Sequence, residues 1–269
     1  MGYLERALIA IALIGALTGF AGVFIVLRKR VLFAQALTHA TFPGAIIAAV
    51  LGVNMQWGAL LACLSLAAIL TALSKLQGQG TQAASGVMLT AGFAFGVVLQ
   101  ALNPDIPVQL DSFLFGSILS VTWMDAAVAA TSLLIVLVIV AAWGKQLVFF
   151  LFDAEAYSAT GHKPWVMEGL ILLITVVAVV AALPAAGAIL SIALIAAPAA
   201  AARYFSDKLS VLLWLAPTLG IFSGVTGLLL SRWLGLSAGA SISLTAALIF
   251  VIAWSTYSLR RPLPQGALV

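Results

Sequence analysis

The sequence predicts an all-α integral membrane protein of about nine transmembrane helices, and three observations carry that prediction. Of 269 residues, 64% are hydrophobic and only 7% charged, whereas a soluble domain carries roughly 25% charged residues; the mean hydropathy is +1.22. The apolar residues form unbroken runs long enough to cross a bilayer as helices, not the ten-residue alternations of a membrane barrel. The basic residues gather in alternate connections between those runs. A formal charge of +4 would suggest nucleic acid in a soluble protein, but here topology accounts for it, and no nucleic-acid partner is expected.

The first span runs from Ala7 to Leu27 and stops at Arg28-Lys29-Arg30, a cluster that favours the cytoplasm. Glu5 and Arg6 precede it without a net-positive start or a small-residue cleavage site, which predicts a retained span in place of a signal peptide. The second span, Val31 to Val53, reaches the far side at Asn54-Met55-Gln56. The third, Trp57 to Leu73, returns to Lys75 and the polar stretch Gln77 to Gln82. The fourth, Val87 to Leu102, exits at Asn103-Pro104-Asp105 into a loop holding Asp111 and Leu114-Phe115-Gly116-Ser117-Ile118. A loop of this length points to function or to hidden short helices.

The fifth span covers Ala126 to Trp143 and ends at Lys145, followed by a cytoplasmic segment from Leu147 to Lys163. Trp165 to Leu183 forms the sixth, and a tight turn at Pro184-Ala185-Ala186-Gly187 joins it to the seventh, which descends through Pro198 to Arg203. The eighth climbs from Val211 to Leu230; the ninth falls from Ser241 to Leu259 and ends at Arg260-Arg261, leaving a cytoplasmic tail over 260–269. Residues 1–269 thus form a single transmembrane domain with the N-terminus outside and the C-terminus inside.

The basic residues test this topology. Arg28, Lys29, Arg30, Lys75, Lys145, Lys163, Arg203, Lys208, Arg260 and Arg261 fall inside, and Arg6 and Arg232 outside, ten against two. Trp57, Trp123, Trp143, Trp165 and Trp233 fall at span ends, as an interfacial belt requires. The outer face carries Glu5, Asp105, Asp111 and Asp125, which favours arriving cations or a basic partner, or forms a solvated rim. Three glycine pairs at four-residue spacing, Gly15 and Gly19, Gly92 and Gly96, Gly220 and Gly224, predict close helix crossings. The one cysteine, Cys63, has no partner for a disulfide and reads as a small buried hydrophobe. No phosphate-cradling glycine loop with its lysine is present, so the chain is expected not to hydrolyse nucleotide itself and not to be an enzyme. No internal repeat is visible, which weighs against an inverted-repeat secondary transporter.

Two constellations carry chemistry. Gln35 and His39 lie four residues apart, on one helix face inside the second span. Polar groups at membrane depth are costly and face a bundle interior or a water-filled path. Pro43-Gly44 is expected to interrupt that helix just beyond them, freeing backbone carbonyls. Imidazole suits borderline transition-metal ions such as zinc and an amide oxygen is a weak neutral ligand; His39 also suits interhelical packing or a proton relay. The second constellation is Phe152-Asp153-Ala154-Glu155 through Gly161, which reads either as a short amphipathic cytoplasmic helix ended by glycine or as a solvated loop.

Several stretches together resemble the ABC-3 family, the permease subunits of ABC importers for zinc, manganese and iron. They are Gly22 to Arg28, Ala36-Leu37-Thr38-His39-Ala40-Thr41-Phe42-Pro43-Gly44, Leu114 to Leu119, Phe152 to Gly161, Gly187-Ala188-Ile189-Leu190, Ala197 to Ala202 and Ala238 to Thr245. Their order along one nine-span chain carries the resemblance nearly end to end. It implies the large-bundle permease architecture shared with vitamin B12 and siderophore importers. It also implies a second permease copy or paralogue, a cytoplasmic ATPase dimer docked on Phe152, Asp153, Glu155 and Gly161, and an extracytoplasmic metal-binding protein. The transported divalent metal would be manganese, zinc or iron, with no permanent cofactor. The family typically places an aspartate at the position of Gln35, and that Asp/His pair is associated with metal coordination in the path. Here the carboxylate is absent, so a divalent cation should rest less tightly unless a partner subunit supplies a ligand. Two other readings stand beside this one: a permease for metal chelates, which needs a wider and more apolar lumen, and a proton-coupled secondary transporter with His39 as relay.

Overall fold

The computed structural model describes residues 3–73, 81–104, 113, 114 and 116–260. Lys75, Asp105, Asp111, Phe115 and the tail from Arg261 onward lie outside the described residues. Without water to satisfy backbone groups, a chain this apolar must bond its amides internally, and it does so as helices. These are α1 (Tyr3–Leu27), α2 (Val31–Val50), α3 (Met55–Leu73), α4 (Thr81–Leu102), α5 (Trp123–Phe152), the short α6 (Ala154–Ala159), α7 (Pro164–Phe205), α8 (Leu209–Leu234) and α9 (Ala238–Arg260), with a single 3-10 turn at Ile118–Ser120 before α5. All but α6 and the 3-10 turn are long and apolar enough to cross a membrane, eight in number among the described residues.

The ninth crossing is hidden in α7. Its 42 residues would make a straight rod about 63 Å long at about 1.5 Å per residue, twice a hydrocarbon core of about 30 Å. Gly187 breaks it, with φ 66° and ψ 174°, a conformation essentially reserved for glycine. Near the start of α7, Glu168 bonds to Arg28 and Arg30. Towards its end, Ala199 and Ala202 share a core with Val23, Val26 and Leu27. Its middle, Ala182 to Leu194, shares another with Ala7, Ala10, Ile11 and Ile14 at the opposite end of α1. The chain therefore crosses over 164–186 and returns over 188–205. The expected four-residue turn contracts to one residue: Pro184 to Ala186 stay helical, because proline's fixed φ suits a helix and only its missing N–H is lost.

Two further expectations need correction. The helix of the fifth span does not stop at Lys145; α5 continues to Phe152, with Leu147 and Phe150 buried. Lys145 is exposed on that helix, where a lysine can lay its aliphatic stem along the surface and hold its charge outward. Only the portion of the 147–163 segment after Phe152 leaves the long helix. Nor does Pro43-Gly44 interrupt α2, which runs unbroken to Val50. Gly44 is instead spent on packing, since a methyl there would meet Ala62 of α3 at 2.5 Å.

The small-residue pairs set the bundle. From Ala10 to Ile25 no residue of α1 is exposed, as befits a helix that is apolar all round. A methyl on Gly15 would lie 2.5 Å from the Gly220 carbonyl oxygen, and one on Gly19 would lie 2.6 Å from Pro217, so α1 and α8 cross backbone to backbone. Gly96 of α4 receives the Phe42 ring of α2, and Gly92 faces Ala40. Lipid tails are as apolar as the helices, so this close van der Waals approach, not solvent exclusion, is what holds such crossings. Cys63 is buried and its thiol donates to the Leu37 carbonyl at 3.2 Å. Tyr3 shares a cavity with Arg232 and Leu236, whereas Tyr257 shares one with Val26 and Arg203. The first described helix therefore begins on one face of the bundle, and the last ends on the other, beside the end of the first.

Candidate functional site

α2 presents a strip with one side open. Leu32, Ile47 and Val50 are exposed, and Gln35 and His39 between them are half-buried. His39 lies nine residues beyond Arg30, about 13 Å along the helix. Its ring stands edge-on to Phe93 of α4, with centroids 5.3 Å apart. Phe93 stacks on Phe42 at 5.9 Å, and Phe42 meets Phe113 at 4.7 Å, so an aromatic cluster closes the strip beyond the histidine. Thr38 donates its hydroxyl to the Gln35 carbonyl at 2.7 Å, leaving the Gln35 amide outside that bond.

One side-chain atom of His39 has no partner, and its backbone carbonyl lacks the one a helix would supply. Nδ1 is buried and has no hydrogen-bond partner, an arrangement that ordinarily costs about 1–3 kcal/mol. Its backbone carbonyl would accept from the amide four residues on, but that residue is Pro43, which has no N–H. The structure thus brings together Gln35, His39 and a carbonyl released by Pro43, without the break in the helix that the sequence suggested. No group of three or more His, Cys, Asp or Glu able to hold a metal occurs among the described residues. One imidazole and one amide oxygen are too few ligands for a metal cage.

The acidic rim is more committed than its composition implies. The Asp125 carboxylate accepts from the Thr122 amide (3.0 Å) and hydroxyl (2.7 Å), capping α5, and from Gln56 at 3.3 Å.

The second constellation folds as a short helix with a built cap. Asp153 ends α5 and starts α6, its carboxylate accepting from the Ala156 amide at 2.8 Å. Phe152, Asp153 and Glu155 are exposed, and Gly161 takes φ 81° in the turn that follows. Tyr157, 2% exposed, is the buried anchor; its ring lies 5.5 Å from Phe149, 5.6 Å from Phe150 and 4.9 Å from His162.

Glu168 was not singled out by the sequence. One carboxylate oxygen accepts from Arg28 at 3.1 Å and from Arg30 at 2.7 Å. Lys29, between the two arginines, has φ 54°, and this left-handed residue turns the chain so that both flanking side chains reach one oxygen. The Arg28 guanidinium also sits 4.7 Å above the Phe150 ring. The cluster read as a topological stop is therefore also a structural joint. Its local signal was slight: one acid just inside a span, in a chain with few acids.

A helical hairpin broken at Gly187, a helix with two half-buried polar side chains on its open side and a capped short helix belong to a polytopic, all-helical membrane bundle. The chain belongs to the ABC 3 transport family, which it matches over residues 1–256. Among its relatives is the manganese transport system membrane protein MntC of Halalkalibacterium halodurans, 33% identical over 252 residues, which span 94% of this chain and 86% of that one. The zinc transport system membrane protein TroC of Treponema pallidum is 30% identical over 237 residues, 85% and 80% of the two chains. In three dimensions the chain is similar to a chain of PsaBC from Streptococcus pneumoniae in complex with Fab, with a TM-score of 0.84, 30% identity and coverage of 94% and 91%. A putative metal-chelate type ABC transporter in an inward-facing conformation shares the fold, with a TM-score of 0.72 at 17% identity.

Proposed function

We propose that this chain is the membrane-spanning permease of an ATP-driven importer that carries a divalent transition metal ion, manganese, zinc or iron, into the cytoplasm. The observation that carries the reading is His39: an imidazole at membrane depth with an unpartnered ring nitrogen, on the open strip of α2 with Gln35 one turn before it. An ion that must leave again needs a site of few and weak ligands. The manganese and zinc transport names of the relatives support the choice of cargo. The open strip calls for a second permease copy or paralogue to complete the path.

In this reading α6 and Gly161 form the element that fits a groove of a cytoplasmic ATPase dimer, with Phe152, Asp153 and Glu155 on the contact face. An extracytoplasmic metal-binding protein delivers the ion at the face of Tyr3 and Arg232, so the N-terminus lies outside and the basic end inside. The ion steps onto His39 and Gln35 from the outer side, held by imidazole nitrogen and amide oxygen, and leaves towards the basic end when the bundle opens there.

The test is reconstitution with the ATPase in liposomes that enclose ATP, and elemental analysis of the lumen after supply of the metal-binding protein with manganese, zinc or iron outside. ATP-dependent accumulation of at least one free ion is expected. Uptake that proceeds without any ATPase would instead favour proton coupling, and uptake of chelated metal alone would favour a chelate permease.

A further inference from the structure

We infer that Glu168 is the positioning residue through which movement of α6 reaches the path helix α2, an inference that rests on the docking and path roles proposed above. A continuous set of directional contacts joins the two. Tyr157, the buried anchor of α6, meets Phe150 edge-on. The face of Phe150 carries the Arg28 guanidinium, and a cation over an aromatic face is held by the ring's quadrupole. Arg28 shares the Glu168 oxygen with Arg30. Arg30 is the residue on which α2 begins, and its guanidinium also lies 5.9 Å over Phe33 in the first helical turn. Five side chains thus connect a helix outside the membrane to the base of the helix that bears Gln35 and His39.

α2 packs most extensively on α3 and α4, so the joint bears on how that group of helices sits against α1 and α7. Although α1 and α2 are consecutive, they barely touch; a three-residue turn with a left-handed Lys29 links them. The core shared by α2 and α7 is apolar, with Phe33 and Leu37 in one cluster with Met167, Ile171 and Ile174, and apolar helix faces can slide by small shear steps. Charge-assisted hydrogen bonds to one oxygen have a required direction and cannot slide. Glu168 is also the anion that sits between two guanidiniums that otherwise repel. The side chains of the triad are just over a fifth exposed, so solvent screens them only partly. A shift of α6 that carries Phe150 carries Arg28 with it, changes how Glu168 is shared, and so changes the hold on Arg30 and α2.

The test uses the complete permease–ATPase complex in lipid, with nitroxide labels at Leu51→Cys, the outer end of α2, and Leu236→Cys beyond α8. Both positions are exposed, and native Cys63 is buried. In the parent complex, ATP binding should shift the distance between the labels. Glu168→Gln should abolish the shift and lower the metal moved per ATP hydrolysed roughly tenfold, within the range of allosteric couplings, while ATP turnover persists. Glu168→Asp, which keeps the charge, should restore part of the shift; a merely structural carboxylate would change thermal stability and leave the ratio of metal to ATP unaltered. If Glu168→Gln does not assemble, Arg28→Gln is read the same way, since it removes the link to Phe150 and leaves a simple Arg30–Glu168 pair. An ATP-driven shift equal to the parent's in these variants, or no shift in the parent, overturns the inference. A parent that shows the shift but imports no metal would sink the proposed cargo and leave the relay standing.

Discussion

Gly116 and Gly187 meet backbone to backbone, and both hold positive φ, 66° in each. A methyl on Gly116 would fall 2.5 Å from the Ala186 carbonyl carbon and 2.8 Å from the Ala185 oxygen. Two motifs that the sequence offered separately, one after the fourth span and one after the sixth, are thus a single contact at the tip of the α7 hairpin. Gly187→Ala should cost about 1–3 kcal/mol for backbone strain alone, seen as a lowered midpoint of thermal unfolding in detergent and poor recovery from membranes. An unaltered midpoint would mean that the reversal is set elsewhere.

The crossing of α1 and α8 gives a second expectation. Gly220→Val would drive a branched side chain into the Gly15 backbone, and overpacking of this kind costs about 1–3 kcal/mol or more. Size-exclusion chromatography after graded heating should show earlier loss of the monodisperse peak. The same substitution at Gly144, where an added methyl meets nothing within 4 Å, serves as the control and should be far milder.

Hydropathy and charge made the crossings legible because each span must satisfy its backbone alone. Period also placed Gln35 and His39 on one face. Helix ends were harder to read. Lys145 looked like a boundary, yet α5 carries on to Phe152 because a membrane-edge lysine can extend its charge outward. Pro43-Gly44 looked like a break, but Gly44 is used for the approach to α3 and Pro43 removes only one hydrogen bond. Glu168 stayed invisible for a different reason: its partners are 140 and 138 residues away, and no local pattern reports a contact closed by the fold.

The short helix α6 should be sensitive to its cap. Asp153→Ala removes the bond to the Ala156 amide, worth about 1 kcal/mol, and α6 has only six residues to absorb the loss. Hydrogen exchange at Ala156 should accelerate, and stimulation of the ATPase by the permease should fall. Faster exchange with unchanged ATP turnover would show that α6 does not engage the ATPase.

Gln35→Asp should place an anion one turn from His39 and deepen the site for a divalent cation. The expected outcome is a split: a lower KM for metal together with a lower maximal rate, as a better-held ion leaves more slowly. A tenfold tighter site corresponds to about 1.4 kcal/mol. If KM and rate are both unmoved, Gln35 does not face the ion.

The most direct measurement of the account is metal uptake by His39→Ala in cells that express the complete transporter, followed by elemental analysis with manganese, zinc or iron supplied in turn. A half-buried imidazole with an unpartnered Nδ1 can be removed without breaking a hydrogen bond. Expression, assembly with the ATPase and basal ATP turnover should therefore persist. Uptake of the transported metal should fall to the level of cells lacking the permease. Accumulation of every metal at the parental rate would contradict the account, and would make His39 a packing residue against Phe93.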